Sequence, residues 1–366
     1  MNQELETLNY KPFELSAAEK KDIFFRDIKS AVFWHYENSE VFRKICEADG
    51  FEPSSAYALE DIPFLSPSMF KAMPLSSVPP EEITKTLFSS STSGEPSKIM
   101  LDRITSNRQI IALNRILADF FGSERGVFLI FDTEKIIKSP SGELSSRGAA
   151  VMGMLGMAKK SVFLCDDDLR IDGEKIKAAR EEVERADKVF YFGFTWLLYN
   201  FFSDAANKEN FKSLSALSSG KQALALHIGG WKKLKDMAVS REQFNERAGA
   251  ALGIPGAAVR DIYGMTEQLG TVYPDCQAGF KHAPLYSDII VRDKDTLLPS
   301  PPGKSGLMQF LSPIPRSYPG ISVLSDDIGS IAGIDDCPCG RKGKYFVFEK
   351  RSEAAELRGC GDVLRL

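Results

Sequence analysis

Apolar residues recur in two rhythms along this chain, and the change from one to the other marks its organisation. From about Ser16 to Cys46, Phe24, Phe25, Ile28, Val32 and Phe33 fall at helical spacing. That spacing predicts a helix with one face on a core. Ser16 offers a hydroxyl to cap its start, and Gly50 offers a stop. A connection with Pro63, Pro67, Pro74, Pro79 and Pro80 follows. Proline fixes φ and removes a donor, so this stretch reads as loop with short turns.

The middle of the chain alternates. Residues 127–131, 162–164, 189–192 and 223–228 are short, apolar and rich in β-formers. Between them lie charged stretches, of which 173–187 reads as an amphipathic surface helix. Residues 240–252 predict another helix, with Ser240 as cap and Gly253 as stop. Such alternation predicts an α/β sheet with helices on both faces. Later runs at 288–292 and 306–311, joined by Pro/Gly loops, predict a smaller antiparallel sheet. The chain carries no internal repeat or low-complexity tract.

The 366 residues, 43% of them hydrophobic and 26% charged, suffice for a sizeable core in one large domain or two. The 46 basic and 50 acidic residues nearly balance, which gives no reason to expect nucleic acid. No apolar run approaches the length of a bilayer span. The N-terminus is acidic and polar rather than leader-like, so the cytoplasm is expected. The six cysteines include a Cys337-x-Cys339 pair. In a large chain of this kind they fit reduced thiols, metal ligands or a reactive thiol better than disulfides.

Two segments carry candidate chemistry. The first, Phe88-Ser-Ser-Ser-Thr-Ser-Gly-Glu-Pro-Ser-Lys98, is a run of hydroxyls ending in Gly, Pro and Lys. It offers backbone N–H groups, hydroxyls and one ammonium to a polyphosphate, without Walker A spacing. An ordinary Ser/Thr-rich loop has the same composition. The second is Asp261-Ile-Tyr-Gly-Met-Thr-Glu267. Its Glu267 is a hard oxygen donor suited to Mg²⁺. Alternatively, Thr266 and Glu267 sit where a strand-to-helix turn would place them.

Together these segments resemble the signatures of the adenylate-forming superfamily. Between them, Leu226-His-Ile-Gly229-Gly230-Trp-Lys-Lys233 sits where that superfamily has its adenine-contacting turn. Ser325-Asp-Asp327-Ile-Gly329 sits where it has a ribose-binding Asp. The serine before Lys98, the His-Ile-Gly-Gly-Trp-Lys-Lys run and the terminal Arg358-Gly-Cys360 look like the acyl-protein synthetases. These are the fatty-acid-activating subunits of bacterial bioluminescence fatty-acid reductase and their relatives. The resemblance covers most of the chain and extends, more distantly, to phenylacetate-CoA ligases.

The resemblance implies the large N-terminal domain of an adenylate-forming enzyme: layered α/β with mixed sheets plus a smaller β subdomain. Along the chain this gives an N-terminal helical region at 1–75, an α/β core at 76–330 and a short C-terminal segment at 331–366. Fifteen residues follow Arg351, so the mobile C-terminal domain of acyl-CoA ligases is expected to be lacking. The implied reaction joins a carboxylic, fatty acid to ATP as acyl-AMP and passes the acyl group to a protein thiol. The implied phosphate-binding residues are Ser91, Thr92, Ser93, Gly94 and Lys98, with Ser91 standing where the family usually has Gly. Thr266 would contact the α-phosphate and Glu267 would hold Mg²⁺, within the motif that contributes Tyr263 and Gly264. Gly229 and Gly230 would meet adenine and Asp327 the ribose. Arg351 matches the family's Gly-Arg hinge, with Lys350 in place of the glycine. Cys360 would accept the acyl group; its flanking glycines give an accessible backbone, and Arg358 favours the thiolate.

Cys276, His282, Cys337 and Cys339 have the donor chemistry of a closed, structural Zn²⁺ site, if the fold unites them. Cys46 and Cys165 lie in apolar contexts and read as core. The aromatic run at 190–199 is expected to be mostly core, with an acyl pocket as the other reading. His35 and His227 read as structural, since a carboxylic acid is already ionised and adenylation needs no general base. An acyl-CoA-reductase-like enzyme or an acyl-carrier protein is the implied partner. Two other readings stand beside this one: an acyl- or aryl-CoA ligase, and a non-catalytic zinc-stabilised nucleotide-binding protein.

Overall fold

A computed structural model of the chain describes residues 4–88, 96–138, 144–231 and 236–352. The chain forms two compact units that are interleaved in sequence. A split unit comprises residues 1–119, 142–147 and 265–366, and an inserted unit comprises 120–141 and 148–264.

The inserted unit is built on parallel strands Gly126–Ile130, Ala158–Phe163, Lys188–Phe194, Gln222–Ile228 and Val259–Tyr263. Their order across the sheet is 158–163, 126–130, 188–194, 222–228, 259–263. The central strand Lys188–Phe194 is buried at every position. This is the burial a parallel sheet covered on both faces requires, and it explains the unbroken apolar run. Phe128 and Phe190 stack across the sheet with centroids 4.5 Å apart. The helix Arg241–Leu252 starts on the expected Ser240, whose hydroxyl accepts from the Gln243 N–H in a capping box. It stops at Gly253, whose φ of 67° is the left-handed cap glycine favours.

The split unit begins with helix Ala17–Asn38, capped by Ser16 and Glu19 in another capping box. The single helix expected over 16–46 is broken at Ser39. That residue is extended at φ −124°, and its hydroxyl accepts from Phe42 N–H to start a second helix, Glu40–Ala48. A serine offering its own cap competes with helix continuation. The first helix is held from one side by Lys20. Its buried ammonium donates to the Pro284 and Ser287 carbonyls and lies 3.4 Å from Asp288. Lys344 reaches the same carboxylate at 2.8 Å. His35 is fully buried, with ring nitrogens at the Ser77 hydroxyl and the Pro315 carbonyl.

Five antiparallel strands form the larger sheet of this unit. In spatial order they are Lys281–His282, Lys344–Arg351, Ser322–Ile334, Gly306–Leu311 and Asp288–Arg292. The two strands expected from pattern pair with each other in full register. A smaller sheet pairs Ile83–Phe88 antiparallel with Lys98–Asp102 and parallel with Leu144–Ser145. Among the described residues, no helix is long and apolar enough to cross a membrane.

Candidate functional site

The hydroxyl-rich segment leaves one strand and returns on its neighbour. Phe88 pairs directly with Lys98, so both ends of the segment meet side by side. Ser91, Thr92, Ser93 and Gly94 lie outside the described residues, as does Cys360. Lys98 opens its strand with an exposed side chain. Ser97, immediately before it, is fully buried and donates from Oγ to Glu267 Oε1 at 2.9 Å. The two segments singled out by sequence therefore touch within the split unit.

Glu267 sits in the single-turn helix Thr266–Gln268 and is only 7% exposed. Burial raises its carboxyl above the usual range, and its own backbone N–H and the Ser97 hydroxyl work against that rise. A neighbour holds the turn in place. Gln268 donates both amide protons, one to the Phe310 carbonyl and one to the Gly320 carbonyl, each at 2.9 Å. Gly320 is required at its position, because a Cβ there would lie 2.6 Å from the Glu267 carbonyl oxygen. As donor chemistry, a buried, oriented carboxylate fits Mg²⁺, a hard cation that binds few protein oxygens beside nucleotide phosphates.

In the inserted unit, Gly229 and Gly230 follow the strand Gln222–Ile228, and Tyr263 ends the adjacent strand with Gly264 after it. Ile228 pairs with Ile262, so all four residues lie at the carboxyl ends of neighbouring parallel strands. Ligands of open α/β sheets bind outside these ends. Gly229 and Gly230 have φ of 91° and 59°, values that disfavour any side chain. His227 is buried just beneath them. Its Nδ1 is 2.9 Å from Thr195 Oγ1 and 3.4 Å from Asp261 Oδ1, and its ring centre is 4.4 Å from that of Phe244.

Asp327 and Arg351, two more residues the sequence singled out, face each other across the antiparallel pair 322–334 and 344–351. The Asp327 backbone N–H is bound by Ser325 Oγ at 3.2 Å.

The four expected metal ligands come together although the first and last lie 63 positions apart in sequence. Their donor atoms all lie within 4.8 Å of one another. Cys276 and Cys337 sulfurs are 3.9 Å apart, and Cys339 Sγ is 3.3 Å from His282 Nε2. Tetrahedral Zn²⁺ with its usual bond lengths sets sulfurs about 3.8 Å apart, so the spacing fits. The local folds are alike. The Gly279 N–H donates to the Cys276 carbonyl and the Gly340 N–H to the Cys337 carbonyl, each at 2.9 Å. Both glycines have positive φ, near 80°. Burial, aided by Arg341, pushes the His282 imidazole down to about 4, leaving it neutral and able to ligate at neutral pH.

Sequence reading did not single out Ser97 as a partner of Glu267, or Gln268 as its anchor. The signal for Ser97 was present as the extra serine before Lys98. No pattern marks Gln268, whose partners are backbone carbonyls 42 and 52 residues away.

The comparisons with known proteins agree with one another. Residues 3–366 match the family model described as acyl-protein synthetase, LuxE. Two curated relatives are both called long-chain-fatty-acid–luciferin-component ligase. The Vibrio harveyi protein is 25% identical, covering 95% of this chain and 89% of its own. The Aliivibrio fischeri protein is 25% identical, covering 96% and 90%. Among solved structures, the open conformation of 2-hydroxyisobutyryl-CoA ligase aligns with a TM-score of 0.69 at 15% identity. The alignment covers 93% of this chain and 71% of that one, which establishes a shared fold. The chain thus belongs to the acyl-protein synthetase family and is a ligase that activates a carboxylic acid.

Proposed function

We propose that this chain condenses a long-chain fatty acid with ATP to acyl-AMP and pyrophosphate, then transfers the acyl group to the Cys360 thiol. The observation that carries the reading is the Ser97–Glu267 contact, which joins the hydroxyl-rich segment to the acidic motif. In the first step a carboxylate oxygen attacks the α-phosphorus and pyrophosphate leaves with the bonding electrons. Thr92, Ser93, Gly94 and Lys98 would hold the phosphates, and Thr266 the α-phosphate. Asp327 would accept from the ribose hydroxyls. Gly229 and Gly230 would let adenine approach the backbone closely, beside Tyr263. Glu267 would hold Mg²⁺, which when bound neutralises charge on the phosphates.

In the second step the Cys360 sulfur attacks the acyl carbonyl. AMP leaves with the electron pair, and the thiol proton passes to solvent. The acceptor beyond Cys360 would be a second protein, an acyl-CoA-reductase-like enzyme or an acyl carrier. Cys276, His282, Cys337 and Cys339 would hold a structural Zn²⁺ that takes no part in either step. The names of the two curated relatives support the fatty-acid assignment.

ATP–pyrophosphate exchange over a panel of carboxylic acids tests the reading. Long-chain acids should drive exchange, and Glu267→Gln should lower it by about 10²-fold, the scale of losing a preorganised charge stabiliser. Exchange that no acid stimulates, or a folded Glu267→Gln protein with full activity, would overturn it.

A further inference from the structure

Ser97 has a specific setting beside Glu267. The side chain is fully buried, and its hydroxyl lies 2.9 Å from Glu267 Oε1. The hydroxyl is the donor and the carboxyl oxygen the acceptor. The position is fixed from both sides. Lys98, the next residue, is locked into the strand pair by Phe88. Glu267 is anchored through Gln268 and the close approach of Gly320.

We propose that Ser97 is a positioning residue, whose hydroxyl sets the orientation of the Glu267 carboxylate for the divalent cation that accompanies ATP. The inference rests on the adenylation reading above. The physical case is that a carboxyl on a rotatable stem, buried in its own turn, has several orientations open to it. A fixed donor selects one of them before the cation arrives, so the ordering cost is met during folding. The same hydroxyl ties the carboxylate to the segment assigned to the phosphates. A hydroxyl on a β-branched carbon would serve as well, whereas a methyl group would not.

The test compares wild type, Ser97→Ala, Ser97→Thr and Ser97→Cys. Mn²⁺ binding in the presence of ATP is read from the paramagnetic resonance signal of free Mn²⁺. Pyrophosphate exchange is followed against Mg²⁺ concentration, and thermal melting checks the fold. Ser97→Ala should weaken Mn²⁺ binding about 10- to 100-fold, the range for loss of a hydrogen bond to a charged group. The Mg²⁺ concentration for half-maximal exchange should rise in parallel, with a smaller change at saturation. Ser97→Thr should restore both. If Ser97→Ala does not fold, Ser97→Cys carries the test, since a thiol is near in size and a weak donor. A folded alanine or cysteine variant that binds Mn²⁺ like wild type overturns the proposal. So does a threonine variant that fails to rescue while folding normally. Wild type that shows neither ATP-dependent Mn²⁺ binding nor exchange overturns the adenylation reading, and this inference with it.

Discussion

Asp327 Oδ1 and Arg351 Nε lie 3.9 Å apart, on residues paired in register across two antiparallel strands. The arginine side chain is 63% exposed and the aspartate 18%. An ion pair this open contributes little to stability. Asp327→Ala should therefore move the melting midpoint by no more than about 0.5 kcal/mol equivalent. If Asp327 accepts from ribose, the same change should raise KM for ATP about tenfold or more in pyrophosphate exchange. A large loss of stability with an unchanged KM would make it a structural residue.

The Cys/His cluster yields a prediction about composition. Protein purified without chelator should contain about one zinc per chain by elemental analysis. Cys337→Ser or His282→Ala should lose the metal and lower stability in chemical denaturation by more than about 3 kcal/mol, since the binding free energy of a structural metal would be folding free energy. Stable, metal-free wild-type protein would count decisively against the site.

Acid should loosen the clasp on the first helix. Burial alone would raise the Asp288 carboxyl, but Lys20 and Lys344 overcome it and hold it at about 2. Unfolded, the group titrates near 4. Its folded value is the lower one, so its stabilisation is complete above about pH 4 and fades as pH falls towards 2. Asp288→Asn should cost about 3 kcal/mol at neutral pH, because two lysines lose their counter-charge. The deficit should shrink by roughly 2 kcal/mol between pH 4 and 2 in denaturant titrations. A deficit that does not vary with pH would mean the contribution is steric.

Cys360→Ser should leave pyrophosphate exchange largely intact, because adenylation precedes and does not require the thiol. The same protein should lose covalent labelling by radioactive fatty acid and ATP, since an unactivated hydroxyl is a poor nucleophile. Label on wild type should be released by neutral hydroxylamine, as a thioester is. Cys46 and Cys165 are fully buried, and burial pushes the Cys46 thiol up to about 12, so neither should take label. Normal labelling of Cys360→Ser would move the acceptor elsewhere.

What the sequence disclosed follows its physics. Strands of the parallel sheet were legible because burial on both faces demands unbroken apolar runs, as at 188–194. Ser16, Ser240 and Gly253 were legible because caps depend on local chemistry alone. Ser39 was misread because a helix break made by a single hydroxyl leaves the apolar spacing intact. Strand Ser322–Ile334 escaped notice because its middle, Ser325-Asp326-Asp327, is polar and only its pairing on both sides holds it extended. The four candidate metal ligands could be named from residue type, but their union depends on two matching turns and a strand pair far apart in sequence. Gln268 left no trace, because its role is to satisfy distant carbonyls rather than to repeat a pattern.

The interleaving of the two units has a consequence for how the chain comes into being. Every residue of the inserted unit has been made once the chain reaches position 264, its five parallel strands among them. The split unit must wait. Lys20 finds Asp288 only across 268 positions, and its five-stranded sheet needs residues up to 351. On a ribosome the first 119 residues would emerge with an unfinished core and stay so while the inserted unit forms. The apolar face of helix Ala17–Asn38, with Phe24, Ile28 and Val32, is then the surface most in need of shielding during synthesis.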